Sequence, residues 1–273
     1  MRWWLLGALI VASPACTQRD RVRAETKVAD LLVSREQERD IGRQIHEELR
    51  QEGLTMLEDE VVVAYVEDMA DRVAEEVKRQ KGVADLHVHV VDDPEVVNAM
   101  ATPGGHVYVF TGLLLEAEDE AEVAGVVAHE IAHVVARHSA RQMVYAYGYQ
   151  SIAALALGQN PSLLEQIGAQ LAGTGFLAAH SRSEEEEADE LGLGYLHRAG
   201  YDPRGLPRFF RKLKAQEGKT PAVMAWISTH PTTESRIENL RQRIRARGWE
   251  GGEVNAAKHA RVEERLTRGR GTR

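Results

Sequence analysis

The sequence predicts an α+β domain that is mostly helical and contains a small sheet of three or four strands. Apolar residues recur with the 3.6-residue period of an amphipathic helix at residues 25–52 and again at 59–79. The period changes to 2 at residues 86–91, which indicates a strand. A third helical pattern, at residues 122–142, is apolar over most of its surface, so we expect this helix to be central to the fold.

Length and composition are those of one sizeable domain with extensions. The chain has 273 residues, of which 43% are hydrophobic, enough for a substantial core. Its formal net charge of −8 argues against nucleic acid or an anionic membrane surface as the main partner. Only 5% of the residues are aromatic, so we expect no stacking platform for single-stranded nucleic acid.

Residues 1–16 have the pattern of a secretory signal rather than of a folded element. Arg2 precedes an apolar run at residues 3–12, which is too short to span a bilayer, and small residues then lead to Cys16. Cys16 is the only cysteine, which excludes an intrachain disulfide, and its position resembles that of a lipobox cysteine. We therefore expect a periplasmic protein attached to the outer membrane by a lipid anchor at Cys16. Ordinary cleavage near Ala15, which would leave a soluble periplasmic protein, is the alternative.

A small sheet is expected between the second helix and the central one. His87 and His89 share one face of the strand at residues 86–91, and we expect them to face solvent rather than to bind a metal. Residues 96–101 and 106–111 form two more short strands around a Pro-Gly turn. This order would place an edge strand beside the central helix, where a substrate backbone can pair with it.

The central helix contains the pattern HExxH. His129 and His133 lie one turn apart on the same side of the helix, so both can bind one ion. Glu130 lies about 100° further round, close enough to polarise a water molecule without being a ligand. This is the arrangement of a zinc hydrolase. A buried helix with two incidental histidines is the alternative, but two imidazoles and a carboxylate among valines would be costly to bury without a shared partner.

Residues 142–164 contain no charged residue, yet they do not predict a membrane span. Polar residues and Pro161 interrupt the apolar run, so the ~20 consecutive apolar residues of a transmembrane helix are not reached. We predict two helices instead, at residues 143–157 and 162–179, which pack on the core or cover the cleft.

Four consecutive glutamates open the next predicted helix, at residues 181–199. Such a run usually marks a solvated helix start. Here Glu184 and Glu185 lie three or four residues before Ala188 on the inward face, and Glu185 also lies one turn before Asp189. A metal-binding carboxylate followed one turn later by an acid that orients a histidine ligand is the arrangement expected at such a site.

Two further helices and a tail complete the chain. The helices are predicted at residues 204–216 and, after a threonine cap, up to about residue 247. His230 precedes a proline and is therefore expected on an extended segment. Residues 251–273 are charged, rich in glycine and without an apolar stripe, so we expect them to be disordered or helical only in places. The folded domain would then cover residues 17–250.

Five segments, spread over residues 32–244, together resemble metallopeptidase family 48, the HtpX and CAAX prenyl protease type. The segments are NAMATPGGHVYVFTGLL, VVAHEIAHVVARHSARQ, SRSEEEEADELG, AGYDP and STHPTTESRI. The chain looks most like the soluble bacterial lipoprotein or periplasmic members. The resemblance implies a zincin-like domain of the gluzincin type.

The resemblance also implies the metal site. One zinc ion per chain would be held by His129, His133 and Glu185, with Glu130 as the general base. Asp189 would stand behind the ligands and orient one of them.

Two more residues are implied to lie near the catalytic cleft, His230 and Arg236. Either could donate a hydrogen bond to the oxyanion that forms at the scissile carbonyl. His230 could instead bind the metal as a fourth ligand, displace the water and keep the enzyme inactive. A surface histidine that caps the following helix is the remaining alternative for His230.

These expectations describe a zinc-dependent endopeptidase of the bacterial cell envelope. Its substrates would be unfolded, misfolded or misassembled envelope proteins. It would be attached to the membrane through Cys16, and it would not bind nucleic acid. The alternative is a chaperone or assembly factor for outer-membrane proteins with a mostly silent peptidase centre. A purely structural zinc site is disfavoured, because Glu130 would have no role and three protein ligands leave one position open.

Overall fold

The computed structural model describes residues 33–81, 86–157, 159–163, 165–167 and 180–270. The expected signal sequence and Cys16 lie outside these residues. In chain order the elements are α1 (Arg35–Gln51), α2 (Glu60–Lys81), β1 (His87–Val91), β2 (Ala99–Thr102), a 3-10 turn (Pro103–Gly105), β3 (His106–Phe110), α3 (Thr111–Glu116), α4 (Glu120–Val135), α5 (His138–Tyr147), α6 (Tyr149–Ala156), α7 (Arg182–Arg198), α8 (Gly205–Gln216), a second 3-10 turn (Pro221–Val223), α9 (Met224–Thr229), α10 (Glu234–Arg247) and α11 (Ala256–Arg270). This mostly helical architecture with one small sheet confirms the predicted α+β class.

The sheet has three strands in the order β1-β3-β2. β1 is parallel to β3, with His87 opposite His106, and β2 is antiparallel to β3. The 3-10 turn between β2 and β3 lies against α1, and Gly104 in this turn has a φ of 80°. A Cβ at Gly104 would come within 2.8 Å of the Arg39 Cα, so both the backbone conformation and the close approach of α1 require glycine.

The two faces of the sheet are buried against different helices. Side chains alternate along a strand, so Val90 and Val109 face the main core, which they share with α2 and α4. Val91 and Tyr108 point the other way and join a second core with the apolar stripe of α1. The sheet therefore separates α4 from α1.

Burial positions the central helix, α4. Val126, Val127 and Ile131 have no exposed surface, and α4 contacts α2, α7, α8 and the sheet. Full burial of each of these side chains contributes about 1.5–3 kcal/mol relative to exposure. The Asp119 side chain caps the first turn by accepting a hydrogen bond from the Glu122 amide. Apolar packing thus determines where the polar residues of α4 lie.

The single helix predicted at residues 122–142 is two helices. Arg137 adopts a left-handed conformation with a φ of 57°, and α5 begins at His138. This conformation costs a non-glycine residue roughly 1–2 kcal/mol. The buried guanidinium offsets the cost, because Nε donates to Glu38 at 2.9 Å and Nη2 donates to the Val33 carbonyl at 2.6 Å. A contact about a hundred residues away in sequence therefore ends α4.

The uncharged region after α4 contains no membrane span in the part of the chain that is described. None of the described helices has both the length and the apolar character to cross a bilayer. The helix predicted at residues 143–157 is replaced by α5 and α6, which meet at Gly148, where φ is 76°. Of the helix predicted at residues 162–179, residues 162–163 and 165–167 are helical, and residues 168–179 lie outside the described residues.

The C-terminal segment is more regular than the expected tail, which was disordered or helical only in places. Residues 256–270 form α11, which packs on α2 and α3. Val262 and Leu266 are buried, and His259 shares a hydrogen bond of 2.8 Å with the Tyr65 hydroxyl. Two apolar residues one turn apart suffice to dock this short helix, although they are too few to form a stripe in the sequence. The folded domain therefore continues past residue 250 to at least residue 270.

Candidate metal centre

The two histidines of the HExxH pattern converge as the helical spacing predicts. His129 and His133 are fully buried on α4, and their Nε2 atoms lie 3.1 Å apart. Both imidazoles therefore present the nitrogen that binds metals to the same point.

α7 brings the carboxylates to this point. Ser181 and Glu184 form a capping box at its first turn, with the Ser181 amide donating to Glu184 at 2.9 Å. Glu185, the next residue, points inward instead, and its two oxygens lie 3.4 Å from the Nε2 of His133 and 3.6 Å from that of His129. The exposed Glu186 points away from the centre. The glutamate run thus supplies both a helix cap and a carboxylate that reaches the two histidines.

A glycine allows α7 to approach the HExxH helix this closely. A Cβ built on Gly192 would come 3.0 Å from the Ala128 carbonyl oxygen and 3.0 Å from the Cα of His129. Both are backbone atoms that cannot rotate away, so any larger residue would separate the helices. Asp189 and Glu185, one and two turns earlier on α7, depend on this contact to reach the histidines.

Asp189 connects the centre to a buried arginine. Its Oδ1 lies 3.1 Å from the Nδ1 of His129, the nitrogen that faces away from the metal position. Arg236 donates to both Asp189 oxygens, at 2.8 and 2.7 Å. Burial alone would raise the pKa of Asp189, but the charge and hydrogen bonds of Arg236 lower it below its usual value. Asp189 thus stays ionised and orients the His129 ring.

The position of Arg236 contradicts its expected role as a donor to the reacting carbonyl. The side chain is buried, its Nη1 donates to the Pro231 carbonyl at 2.9 Å and forms an ion pair with Glu185, and its other two nitrogens donate to Asp189. All three guanidinium nitrogens are therefore engaged behind the ligands. Arg236 is a positioning residue for Glu185 and Asp189.

His230 lies inside the centre rather than on the surface, so the alternative of a surface capping histidine is wrong. It follows the last residue of α9, and its ring is fully buried and stacked on Trp226 with the centroids 4.4 Å apart. Its Nδ1 lies 2.9 Å from Glu185, and its Nε2 lies 3.5 Å from Glu130. Thr233 caps the following helix, α10.

Glu130 is buried beside the ligands but does not share their contacts. Neither carboxylate oxygen has a hydrogen-bond partner of ordinary geometry. Burial raises the pKa of Glu130, and the weaker effects of His230, His129 and the Ala101 amide only partly oppose it. A buried carboxylate that is available to take up a proton is what a general base requires.

The donor set fits a divalent metal ion of the zinc type. His129, His133, Glu185 and His230 each offer one ligand atom, and these atoms all lie within 4.8 Å of one another. Burial alone would lower the pKa of His129, but hydrogen bonds to Asp189 and Glu185 raise it to about 9, so a bound metal ion would have to displace a proton from this ring at neutral pH. Burial would raise the pKa of Glu185, but the nearby His230 and Arg236 hold it well below its usual range. Glu185 is therefore ionised, as a ligand must be.

Two histidines that the sequence analysis did not single out complete the surroundings of His133. His138, the first residue of α5, places its Nδ1 2.7 Å from the Nδ1 of His133, and its Nε2 lies 3.2 Å from Glu187. The ring of His180 lies over the ring of His133 with the centroids 3.9 Å apart. Burial and the neighbouring His180 lower the pKa of His133 well below its usual value, which favours the neutral form that binds metals. No spacing rule could reveal His138, because the helix break at Arg137 redirects it.

Two histidines and a carboxylate, on two helices that pack together, with a buried glutamate beside them, are the site of an HExxH metallopeptidase. Comparison with known proteins agrees with this class. The chain belongs to peptidase family M48, whose sequence profile matches residues 61–244. This finding confirms the resemblance drawn from the five sequence segments.

The relatives are proteases of mitochondria and bacteria. The chain is 35% identical over 173 residues to the mitochondrial metalloendopeptidase OMA1 of Schizosaccharomyces pombe. The matched region covers 63% of this chain and 51% of the relative. It is 36% identical over 162 residues to a putative beta-barrel assembly-enhancing protease of Vibrio cholerae, and this match covers 55% of this chain and 33% of the relative. With the beta-barrel assembly-enhancing protease of Escherichia coli it shares 29% identity over 197 residues, covering 69% and 40%. The chain thus spans about half the length of these relatives or less.

Proposed function

We propose that the protein is a zinc-dependent endopeptidase of the bacterial cell envelope that hydrolyses misfolded or misassembled envelope proteins. The observation that carries the proposal is the fully buried Glu130, which lies beside three convergent ligands and within 3.5 Å of the His230 ring. A purely structural metal site would not need this carboxylate. His129 and His133, through Nε2, and Glu185, through its carboxylate, would hold the zinc ion.

The residues of the chain divide the catalytic work between them. A bound zinc ion would act as a Lewis acid that polarises the scissile carbonyl and lowers the pKa of the attacking water. Glu130 takes the proton of that water on a carboxylate oxygen and passes it to the nitrogen of the leaving amine. Burial raises the pKa of Glu130, which suits a carboxylate that must keep the proton between the two transfers. Asp189 and Arg236 hold His129 and Glu185 in place.

The edge of the sheet offers a place for the substrate backbone. Within the described residues β2 is an outer strand that pairs with β3 alone, and it contacts α4. The amide of Ala101, in β2, is close enough to Glu130 to affect its pKa. A polypeptide that added itself to β2 as a further strand would bring its peptide bonds past Glu130. Such pairing uses backbone groups, so it suits unfolded proteins of varied sequence.

The names of the bacterial relatives support envelope proteins as substrates. The proteins of Vibrio cholerae and Escherichia coli are named for enhancing the assembly of β-barrels. The secretory pattern of residues 1–16 supports the same compartment. We propose that the protein works in the periplasm, held at the outer membrane by a lipid on Cys16. Cys16→Ser should then move the mature protein from the membrane fraction to the soluble periplasm, and an unchanged distribution would contradict the anchor.

The activity is tested by cleavage of an unfolded protein such as casein, with and without a chelator. Glu130→Gln keeps the shape of the side chain and the three ligands but removes the base. Cleavage should fall by at least ~10², while the zinc content stays that of the wild type. Glu118→Gln, at a glutamate exposed to solvent, is the matched control and should cleave like the wild type.

Two outcomes of this assay would contradict the proposal. A Glu130→Gln variant as active as the wild type would show that Glu130 is not the base. A wild type that binds zinc but cleaves no unfolded protein would favour the chaperone or assembly factor with a silent centre. The envelope proteins that remain bound to Glu130→Gln in cells, and not to the control, would identify the substrates.

A further inference from the structure

A second group of histidines lies on the face of the sheet that points away from the HExxH helix. His89 of β1 and His106 of β3 project from this face, and His46 of α1 lies over them. The Nε2 of His89 is 2.9 Å from the Nδ1 of His106. The ring of His46 stacks on the ring of His89 with the centroids 4.4 Å apart. We call these three residues the sheet histidines.

The fold brings the sheet histidines together through two features. Parallel pairing sets His87 opposite His106, so that His89 on the same face lies diagonally beside His106. Gly42 then allows α1 to lie directly on the sheet connection, because a Cβ there would come 2.1 Å from the Pro103 carbonyl oxygen and 3.1 Å from the ring of His106. His46 follows Gly42 by one turn of α1, which places it over the pair.

This placement corrects the expectation that the strand histidines face solvent. His87 is exposed as expected, but His89 is half-buried beneath α1, and His106 is buried. Burial lowers the pKa of His89 to about 4 and that of His106 to about 3. Both rings are thus largely removed from water, and their facing nitrogens lie 2.9 Å apart.

We propose that the sheet histidines form a second metal site, which binds a divalent transition ion of the zinc type through three imidazoles. One ligand atom from each residue lies within 4.8 Å of the others. Nitrogens around a tetrahedral zinc ion are separated by roughly 3.3 Å, since each Zn–N bond is ~2.05 Å. The two strand histidines are already this close, so His46 needs to approach them by no more than ~1.5 Å. Imidazole ligands favour zinc, nickel, cobalt and copper over calcium or magnesium.

The surroundings favour a cation and leave a fourth coordination position accessible. The sheet histidines line a cleft of about 650 Å³. Its walls also include three glutamates, Glu47, Glu48 and Glu165, against one arginine, Arg43. Three protein ligands next to an open cleft leave the fourth position to water or to an oxygen of another molecule. Because the ligands come from α1, β1 and β3, a bound ion would also join the N-terminal helix to the sheet.

Metal counting on the purified full chain tests this site. The protein is stripped with a chelator, incubated with Zn²⁺, passed through a desalting column and analysed for bound metal by mass spectrometry. The wild type should hold about two zinc ions per chain, one in each centre. His89→Ala should hold about one, with the affinity of the second ion at least ~100-fold weaker. His87→Ala, on the same strand but exposed, is the matched control and should hold two.

Additional variants separate this proposal from the catalytic assignment and from misfolding. Glu185→Ala should lose the ion of the HExxH centre and keep the one at the sheet histidines, whereas Glu185→Ala combined with His89→Ala should hold none. His46→Ala changes a half-exposed residue of α1 and does not disturb the strands. It should therefore also lose the second zinc ion, and it tests the site even if His89→Ala fails to fold. A wild type that holds one ion, or second-ion binding unchanged in both His46→Ala and His89→Ala, would overturn the second site. Two ions in Glu185→Ala would instead contradict the catalytic ligand assignment.

Discussion

Asp189→Asn tests whether the metal centre depends on residues behind its ligands. The carboxylate lies 3.1 Å from His129 and accepts two hydrogen bonds from Arg236. Asparagine keeps the shape and one acceptor oxygen. It removes the negative charge and replaces one acceptor oxygen with an amide group, which cannot accept a hydrogen bond. Arg236 donates to both oxygens and so loses one acceptor in either orientation of the amide, and His129 also loses its acceptor when the amide group replaces Oδ1.

The expected magnitude follows from the role of such carboxylates. Removing the group that orients a ligand histidine weakens metal binding by ~10–100-fold, or about 1.4–2.7 kcal/mol. Stability should fall less than the 3–5 kcal/mol of a broken buried ion pair, because Arg236 keeps its contacts with Glu185 and the Pro231 carbonyl. The variant should therefore fold and bind zinc weakly.

Zinc affinity is measured by competition with a chromogenic chelator, and kcat is measured at saturating zinc. Asp189→Asn should weaken zinc binding and recover most of its kcat when zinc is added in excess. Glu190→Gln is the control, since Glu190 is the next residue of α7 but lies at the surface, where it pairs with Arg243 and Arg247 at 2.9 and 3.0 Å. Wild-type affinity in Asp189→Asn, or an equal loss in both variants, would refute the positioning role.

Three further experiments test the rest of the structure. The distance of 2.9 Å between His230 and Glu185 supports a resting enzyme in which His230 occupies the fourth metal position. His230→Ala should then raise the basal cleavage of unfolded protein. A fall in cleavage of about 10²-fold would show instead that His230 donates to the oxyanion. Glu185→Ala should lower zinc occupancy while the exposed Glu186→Ala keeps it, and full occupancy in the first variant would exclude Glu185 as a ligand. Val262→Ala removes buried apolar atoms and should lower the free energy of unfolding, measured by urea titration, by about 1–2 kcal/mol. Glu263→Ala is the control, because Glu263 is exposed on the same helix, and it should change this free energy by under ~0.5 kcal/mol. Equal stabilities would show that α11 is not part of the cooperative fold.

Much of the HExxH centre could be predicted because its spacing is local. His129 and His133 lie one turn apart on a single helix, so helix geometry alone brings their Nε2 atoms together. Glu185 was a harder case, since four glutamates follow one another and helix periodicity left both Glu184 and Glu185 on the inward face. The structure separates them, because the side chain of Glu184 bonds to the cap residue Ser181, whereas the side chain of Glu185 points to the two histidines.

Residues whose role depends on distant partners were predicted poorly. Arg236 was expected near the reacting carbonyl, but Asp189 and Glu185 hold it behind the ligands. His138 lies against His133 only because Arg137 ends α4. His89 reads as a solvent-facing strand histidine until α1 is placed over it.

The sequence by itself determined the order and type of most elements, the α+β class and the chemistry of the HExxH helix. These features depend on interactions between residues a few positions apart, and such interactions leave a period in the sequence. The tertiary structure alone decided the break at Arg137, the docking of α11 and the meeting of the three sheet histidines. Each of these depends on a contact between segments far apart in the chain. A buried ion pair makes the first possible, two apolar side chains the second and a single glycine the third. No local period in the sequence encodes such a contact.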